Sequence, residues 1–135
     1  MPLTEYEQAE LKGRHDHRIE TYKSMITISV EVFKYLALLN GGAAAGMVAT
    51  LDKLAKLLDG WALKAAVGLF VAGLFFDGVA MFCSYFTQNT LYGQSTHRPN
   101  VGSHESCLIT AIVFAILSLL AFGLGAVIAV FGIKS

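Results

Sequence analysis

The chain has 135 residues, 55% hydrophobic and 15% charged, where soluble proteins average roughly 25% charged. Ten Lys plus Arg balance ten Asp plus Glu, so the net charge of zero names no nucleic acid and no acidic partner. Long apolar runs exclude an ordinary soluble domain and a disordered chain, and Cys83 and Cys107 alone are too few for a disulfide scaffold.

The first predicted element is an amphipathic juxtamembrane helix over residues 1–24. Thr4 followed by Glu7 has capping-box spacing, and Glu5 and Glu7 suit the positive end of a helix dipole. Gly13 weakens this helix. The opening MPLTEYEQAE is acidic, and no apolar stretch precedes residue 25, which predicts that there is no signal peptide.

Residues 25–135 are predicted to cross a membrane three times, over about 25–51, 61–86 and 107–133. The fold class is therefore all-α: a polytopic membrane protein whose long N-terminal helix is continuous with its first span. The uncharged core of that span, Tyr35 to Leu51, has 17 residues, and Lys34 and Lys53 bracket it and snorkel outward. The second span starts near Trp61, an interfacial aromatic, and carries Lys64 near one end and Asp77 inside. The third, Cys107 to Ile133, runs 27 residues without a charge, where about 20 suffice to span a bilayer. The connector Asp52 to Gly60 is short and amphipathic. The connector Thr87 to Ser106 is polar, contains Pro99, and reads as a loop. With the N-terminus inside, the inner segments carry five basic residues and the outer ones four. The basic N-terminal helix favours a cytoplasmic N-terminus.

Helices associate in lipid through small residues that let backbones approach. Gly42 to Gly46 is a G-x-x-x-G, and Gly41 and Ala45 repeat the spacing on a neighbouring face. Gly73, Asp77, Ala80 and Ser84 form a stripe on the second span. Ala111, Ala115, Ser118, Ala121, Gly125, Ala129 and Gly132 form one on the third. These stripes pack the helices of one monomer, or also join copies into a homo-oligomer.

A polar stripe, His17, Glu20, Ser24, Thr27, Glu31 and Lys34, recurs at steps of three and four, and Leu38, Gly41 and Ala45 continue it. It lines a vestibule or subunit contact, or it is the solvated face of a juxtamembrane helix. Asp77 is the sharpest single residue, because an ionisable group inside a span is costly and marks a functional site by default. Its expected partners are Lys34, Asn40 or Thr50; the alternative role is a hydrogen bond between helices. Asn40, at the start of the glycine-rich stretch, is a candidate inter-helix hydrogen-bonder or hinge. His15 and His17 point to different sides of a helix, and His97, His104, Glu105 and Cys107 match no zinc spacing, so no metal and no cofactor is expected. Cys83 and Cys107 lie at the same membrane face, so their redox state reports topology.

No nucleophile–base pair, phosphate loop or H-E-x-x-H occurs, and the chain reads as no enzyme. Bacterial diacylglycerol kinase is similar in layout, but it needs clustered glutamates and asparagines; here the second span has one Asp and the third no charge. The segment His15 to Met47, with Leu38-Leu39-Asn40-Gly41-Gly42-Ala43-Ala44 at its centre, resembles a pattern in small bacterial multi-span membrane proteins, mostly uncharacterised. The resemblance covers about a quarter of the chain. It implies an accessory or mobile-element product and carries no activity.

The sequence thus leads to a homo-oligomeric protein of the bacterial inner membrane that alters permeability, as a channel-like pore or a membrane-disrupting effector. Asp77, Asn40, Glu31 and Lys34 are its candidate pore or interior polar residues. Gly41, Gly42, Ala45, Gly46, Gly73, Gly125 and Ala129 are its candidate packing residues. Its partners are the lipid bilayer, copies of itself and, through the N-terminal helix, another membrane protein, with no nucleic acid. The rival reading is a structural or regulatory subunit of a larger membrane complex.

Overall fold

The computed structural model describes residues 4–95 and 105–134. Four helices follow in order: α1, Glu5–Ala49; α2, Leu51–Leu57; α3, Gly60–Ser95; and α4, Glu105–Phe131. Helices α1, α3 and α4 are each long and apolar enough to cross a membrane. The protein is an integral membrane protein of the all-α class. The chain divides into two units, Met1–Val32 and Phe33–Ser135.

In the first unit α1 starts as its sequence dictates. Thr4 N–H donates to Glu7 Oε2 at 2.8 Å, and Glu7 N–H donates back to Thr4 Oγ1 at 3.3 Å, closing the capping box. The Thr4 hydroxyl also donates to Glu7 Oε2, at 2.9 Å. These bonds to the charged form hold the exposed Glu7 carboxyl below the usual glutamate value. Arg14 pairs with Glu10 one turn back, at 2.7 Å. Every side chain from Thr4 to Met25 is exposed.

The second unit is an antiparallel helical bundle. Its directions follow from pairs that descend along one helix as they ascend the other: Ala62 with Gly132, Phe70 with Gly125, Phe76 with Phe114. Helix α1 packs antiparallel to α3 in the same way, Ala44 against Ala66 and Phe70, and Gly41 against Leu74. The inward face of α1 is Phe33, Leu36, Asn40 and Ala44, at helical steps of three and four. That of α3 is Ala62, Ala66, Phe70, Gly73, Asp77, Ala80 and Thr87. That of α4 is Ala111, Ser118, Ala121, Gly125 and Gly132.

The small residues of α3 and α4 are therefore positioned for specific neighbours. A Cβ on Gly125 would lie 2.8 Å from the Phe70 ring, and one on Gly132 would overlap Ala62. Phe70 also meets Phe122, ring centroids 5.7 Å apart, a tilted aromatic pair. With side chains at these two positions, the Phe70 ring at Gly125 and Ala62 at Gly132 would hold α3 and the end of α4 apart.

One expectation is corrected. The segment Thr87 to Ser106 is not a loop along its whole length: α3 continues through Ser95 and α4 begins at Glu105. Hydropathy ends near Phe86, but nothing there breaks a helix. Thr87 is buried, and its hydroxyl donates to the Cys83 carbonyl at 3.0 Å. Most of the short amphipathic connector after Asp52 belongs to α2. Seven residues are too few for an independent helix, so α2 is held by tertiary contacts. Asp59 N–H donates to the Gly132 carbonyl at 2.8 Å, and Lys134 N–H donates to the Leu57 carbonyl at 2.9 Å. These bonds form an antiparallel bridge of Leu58 with Ile133. They satisfy backbone groups where a chain turns close to lipid.

Candidate functional site

Among the described residues, the interior of the second unit is apolar except for Asn40, Asp77, Thr87 and Ser118. Asn40 reaches from α1 to α4. Its Nδ2 donates to the Ser118 hydroxyl at 3.1 Å, to the Ser118 carbonyl at 3.3 Å and to its own Leu36 carbonyl at 3.2 Å. Two amide hydrogens thus serve three acceptors. Both Asn40 and Ser118 are fully buried. Asn40 is a hydrogen-bonder between helices, and it sits inside regular α1, not at a hinge.

Gly73 makes this possible. A Cβ there would meet Asn40 first: it would overlap Oδ1 and lie 2.5 Å from Cγ and 2.8 Å from Nδ2. The missing side chain on α3 is the space that the α1 amide fills. One turn further along the same face of α3 stands Asp77, 2% exposed. Asp77 Oδ1 has no hydrogen-bond partner, and neither has Asn40 Oδ1. The site therefore presents two buried oxygen acceptors without donors. An acceptor buried in that state carries a desolvation cost of about 1–3 kcal/mol. Chemically, each oxygen can accept a hydrogen bond, and the Asp77 carboxyl can also take up a proton.

The expected partners of Asp77 are not the ones realised at Oδ1. Thr50 is exposed and donates to the Gly46 carbonyl at 2.7 Å. Asn40 directs its donor to Ser118. Lys34 is exposed, as is Glu31. The physical reason is helix phase: Lys34 lies off the line of Phe33, Leu36 and Asn40, which is the face that α1 turns inward.

The glycine-rich stretch of α1 divides between two sides. Gly41 touches Leu74 at 3.5 Å, and Ala44 is in the core. Gly42, Ala45 and Gly46 are exposed, and neither glycine has a neighbour within 4 Å of where a Cβ would stand. The two glycines of the G-x-x-x-G thus pack on nothing among the described residues. Ala129 packs against the Ala44–Phe70 cluster. The polar stripe His17, Glu20, Ser24, Thr27, Glu31 and Lys34 is exposed throughout, and so are Leu38 and Ala45 beyond it. Cys83 and Cys107 are half-buried free thiols.

Sequence reasoning missed Ser118 as the partner of Asn40, having counted it only as a small residue. The available signal was a hydroxyl placed in a stripe otherwise made of Ala and Gly. No group of three His, Cys, Asp or Glu among the described residues is arranged to hold a metal ion, and His97 and His104 lie outside the described residues. Comparison with protein-family models, curated proteins and solved structures finds no match to this chain.

Proposed function

We propose that this chain is a small homo-oligomeric protein of the bacterial inner membrane that alters membrane permeability, channel-like or as a membrane-disrupting effector. One observation carries the reading: Asp77, an acidic residue inside a membrane span, is buried against neighbours that leave its Oδ1 unpaired, one turn from a second unpaired oxygen. An ionisable side chain in a span costs about 2.5–3.5 kcal/mol on insertion scales, and such residues mark ion and proton pathways. Packing alone gives no return for that cost, because Asp77 Oδ1 bonds to no helix.

Asn40 and Asp77 face the interior of one protomer, which supports a polar path within each three-helix unit. Glu31 and Lys34, exposed on α1, are proposed for the vestibule. Copies associate through the uncovered Gly42, Ala45 and Gly46 face. The reading needs no catalysis and no cofactor.

The test is proton and ion flux in liposomes containing the purified chain. Wild-type protein is expected to conduct, and Asp77→Asn and Asn40→Ala to reduce that flux at least tenfold. Liposomes as tight as protein-free ones would sink the reading. The second reading, an accessory subunit, is favoured by one observation: every side chain from Thr4 to Met25 is exposed, as a docking helix requires. The native mass of the chain expressed alone separates the two. A closed homo-oligomer supports the first reading, and a monomer or a mass including another protein supports the second.

A further inference from the structure

A groove of about 490 Å³ lies beneath α2, within the size range of small-molecule and lipid-chain sites. Its walls are Ala43 and Met47 from α1, Leu54 and Leu58 from α2 and its end, and Ala126 and Ala129 from α4. Every lining side chain is apolar. From Ala126 to Ile133, at 1.5 Å per residue, the groove runs about 10 Å, a third of the hydrocarbon thickness. Alanines hollow it where larger residues would close α1 against α4.

The end of the bundle above the groove is basic. Lys53 and Lys56 are exposed on α2, whose Leu54 and Leu58 turn toward the groove. Lys64 opens α3 and Lys134 follows α4, so four lysines stand against Asp52 and Asp59. Lys134 Nζ lies 3.4 Å from the Ala55 carbonyl, and the Leu58–Ile133 bridge fastens the same segment. The roof is thus fastened to the end of α4, with Leu54 and Leu58 lining the groove and Lys53 and Lys56 exposed.

We infer that this groove binds one anionic phospholipid, an acyl chain lying under α2 and the phosphate between Lys53 and Lys56. Charge complementarity selects the occupant. A zwitterionic lipid fills the groove equally well but gains no net attraction from the lysines, and each lysine near an anionic headgroup is expected to give about fivefold in affinity. A second copy of the chain would have to bring its own acidic patch against the same lysines. The inference does not depend on any permeability of the assembled protein.

The test is native mass spectrometry of the full chain released from nanodiscs holding equal phosphatidylglycerol and phosphatidylcholine. Wild type is expected to retain one phosphatidylglycerol per chain in clear preference. Lys53→Gln with Lys56→Gln should cut that preference roughly tenfold or more while a lipid is still bound. Ala126→Leu and, separately, Ala43→Leu fill the groove and should abolish retention of either lipid, with helicity checked by circular dichroism. Equal retention of the two lipids by wild type overturns the inference. So does unchanged retention by a folded groove-filling variant, or a lipid-free dimer as the dominant species. If both leucine variants fail to fold, the lysine pair, at exposed positions, still decides the case.

Discussion

Gly73→Ala isolates the contact on which the polar interior rests. In an isolated helix the change would stabilise by about 1 kcal/mol, since alanine is the better helix former. Here the new methyl lands on the Asn40 amide, overlapping Oδ1 and reaching within 2.5 Å of Cγ. Asn40 must leave, surrendering both bonds to Ser118, or α1 and α3 must separate. Overpacking costs about 1–3 kcal/mol. Loss of intramembrane hydrogen bonds adds about 0.6–1.7 kcal/mol. Subtracting the helix-propensity gain leaves a net destabilisation of about 0.6–3.7 kcal/mol. In an Asn40→Ala background the three nearest obstacles, all atoms of Asn40, are gone. There the same substitution should be neutral or stabilise by up to about 1 kcal/mol. The assay is reversible unfolding in mixed detergent and dodecyl sulfate, followed by circular dichroism and by the single tryptophan, Trp61. The sign reversal is the signature. Additive effects, agreeing within about 0.5 kcal/mol, would show that Gly73 and Asn40 are not coupled and refute the packing argument.

Three further outcomes follow from the same structure. Asp77→Leu should raise stability in that assay by about 1–3 kcal/mol, because it removes an acceptor that no helix satisfies; a loss of stability would mean that Asp77 is inter-helix glue. Glu7 is held below its ordinary value in the folded capping box, so its contribution is present at neutral pH and fades as pH falls through the depressed folded value. Amide exchange over the first turn of α1 should therefore accelerate in acid, and Glu7→Gln should remove most of that pH dependence. Lys134→Pro deletes the N–H that bonds to the Leu57 carbonyl. It should cost about 1 kcal/mol and expose the α2 amides to exchange, and unchanged protection there would show that the bridge does not hold α2.

Much of the architecture was legible in the chain because membrane insertion reads composition. Three apolar stretches of sufficient length determine three spans whatever their neighbours, since no other backbone arrangement satisfies its own hydrogen bonds in lipid. The Thr4–Glu7 box was equally local, needing only residues three apart. The stripe from Ala111 to Gly132 was readable for a related reason: small residues at helical spacing are where α4 is approached, and Gly125 and Gly132 are the points of approach. The end of the second span was not readable in this way. Hydropathy falls after Phe86, while helical hydrogen bonding has no reason to stop there, and α3 runs on to Ser95.

What the sequence could not determine was phase and partnership. Nothing local distinguishes Asn40, which turns inward, from Lys34, which does not, because a helix whose apolar residues lie all round carries no periodic mark of its buried side. The same ambiguity left open whether Gly42 and Gly46 pack within one monomer or between copies, and in the folded chain both are exposed. Only the meeting of three helices decided that Ser118 answers Asn40 across 78 positions of chain, that Gly73 makes the room, and that Oδ1 of Asn40 and Oδ1 of Asp77 stay without a donor. Length and hydropathy belong to each segment alone. A hydrogen bond between helices belongs to their relative rotation, which packing sets.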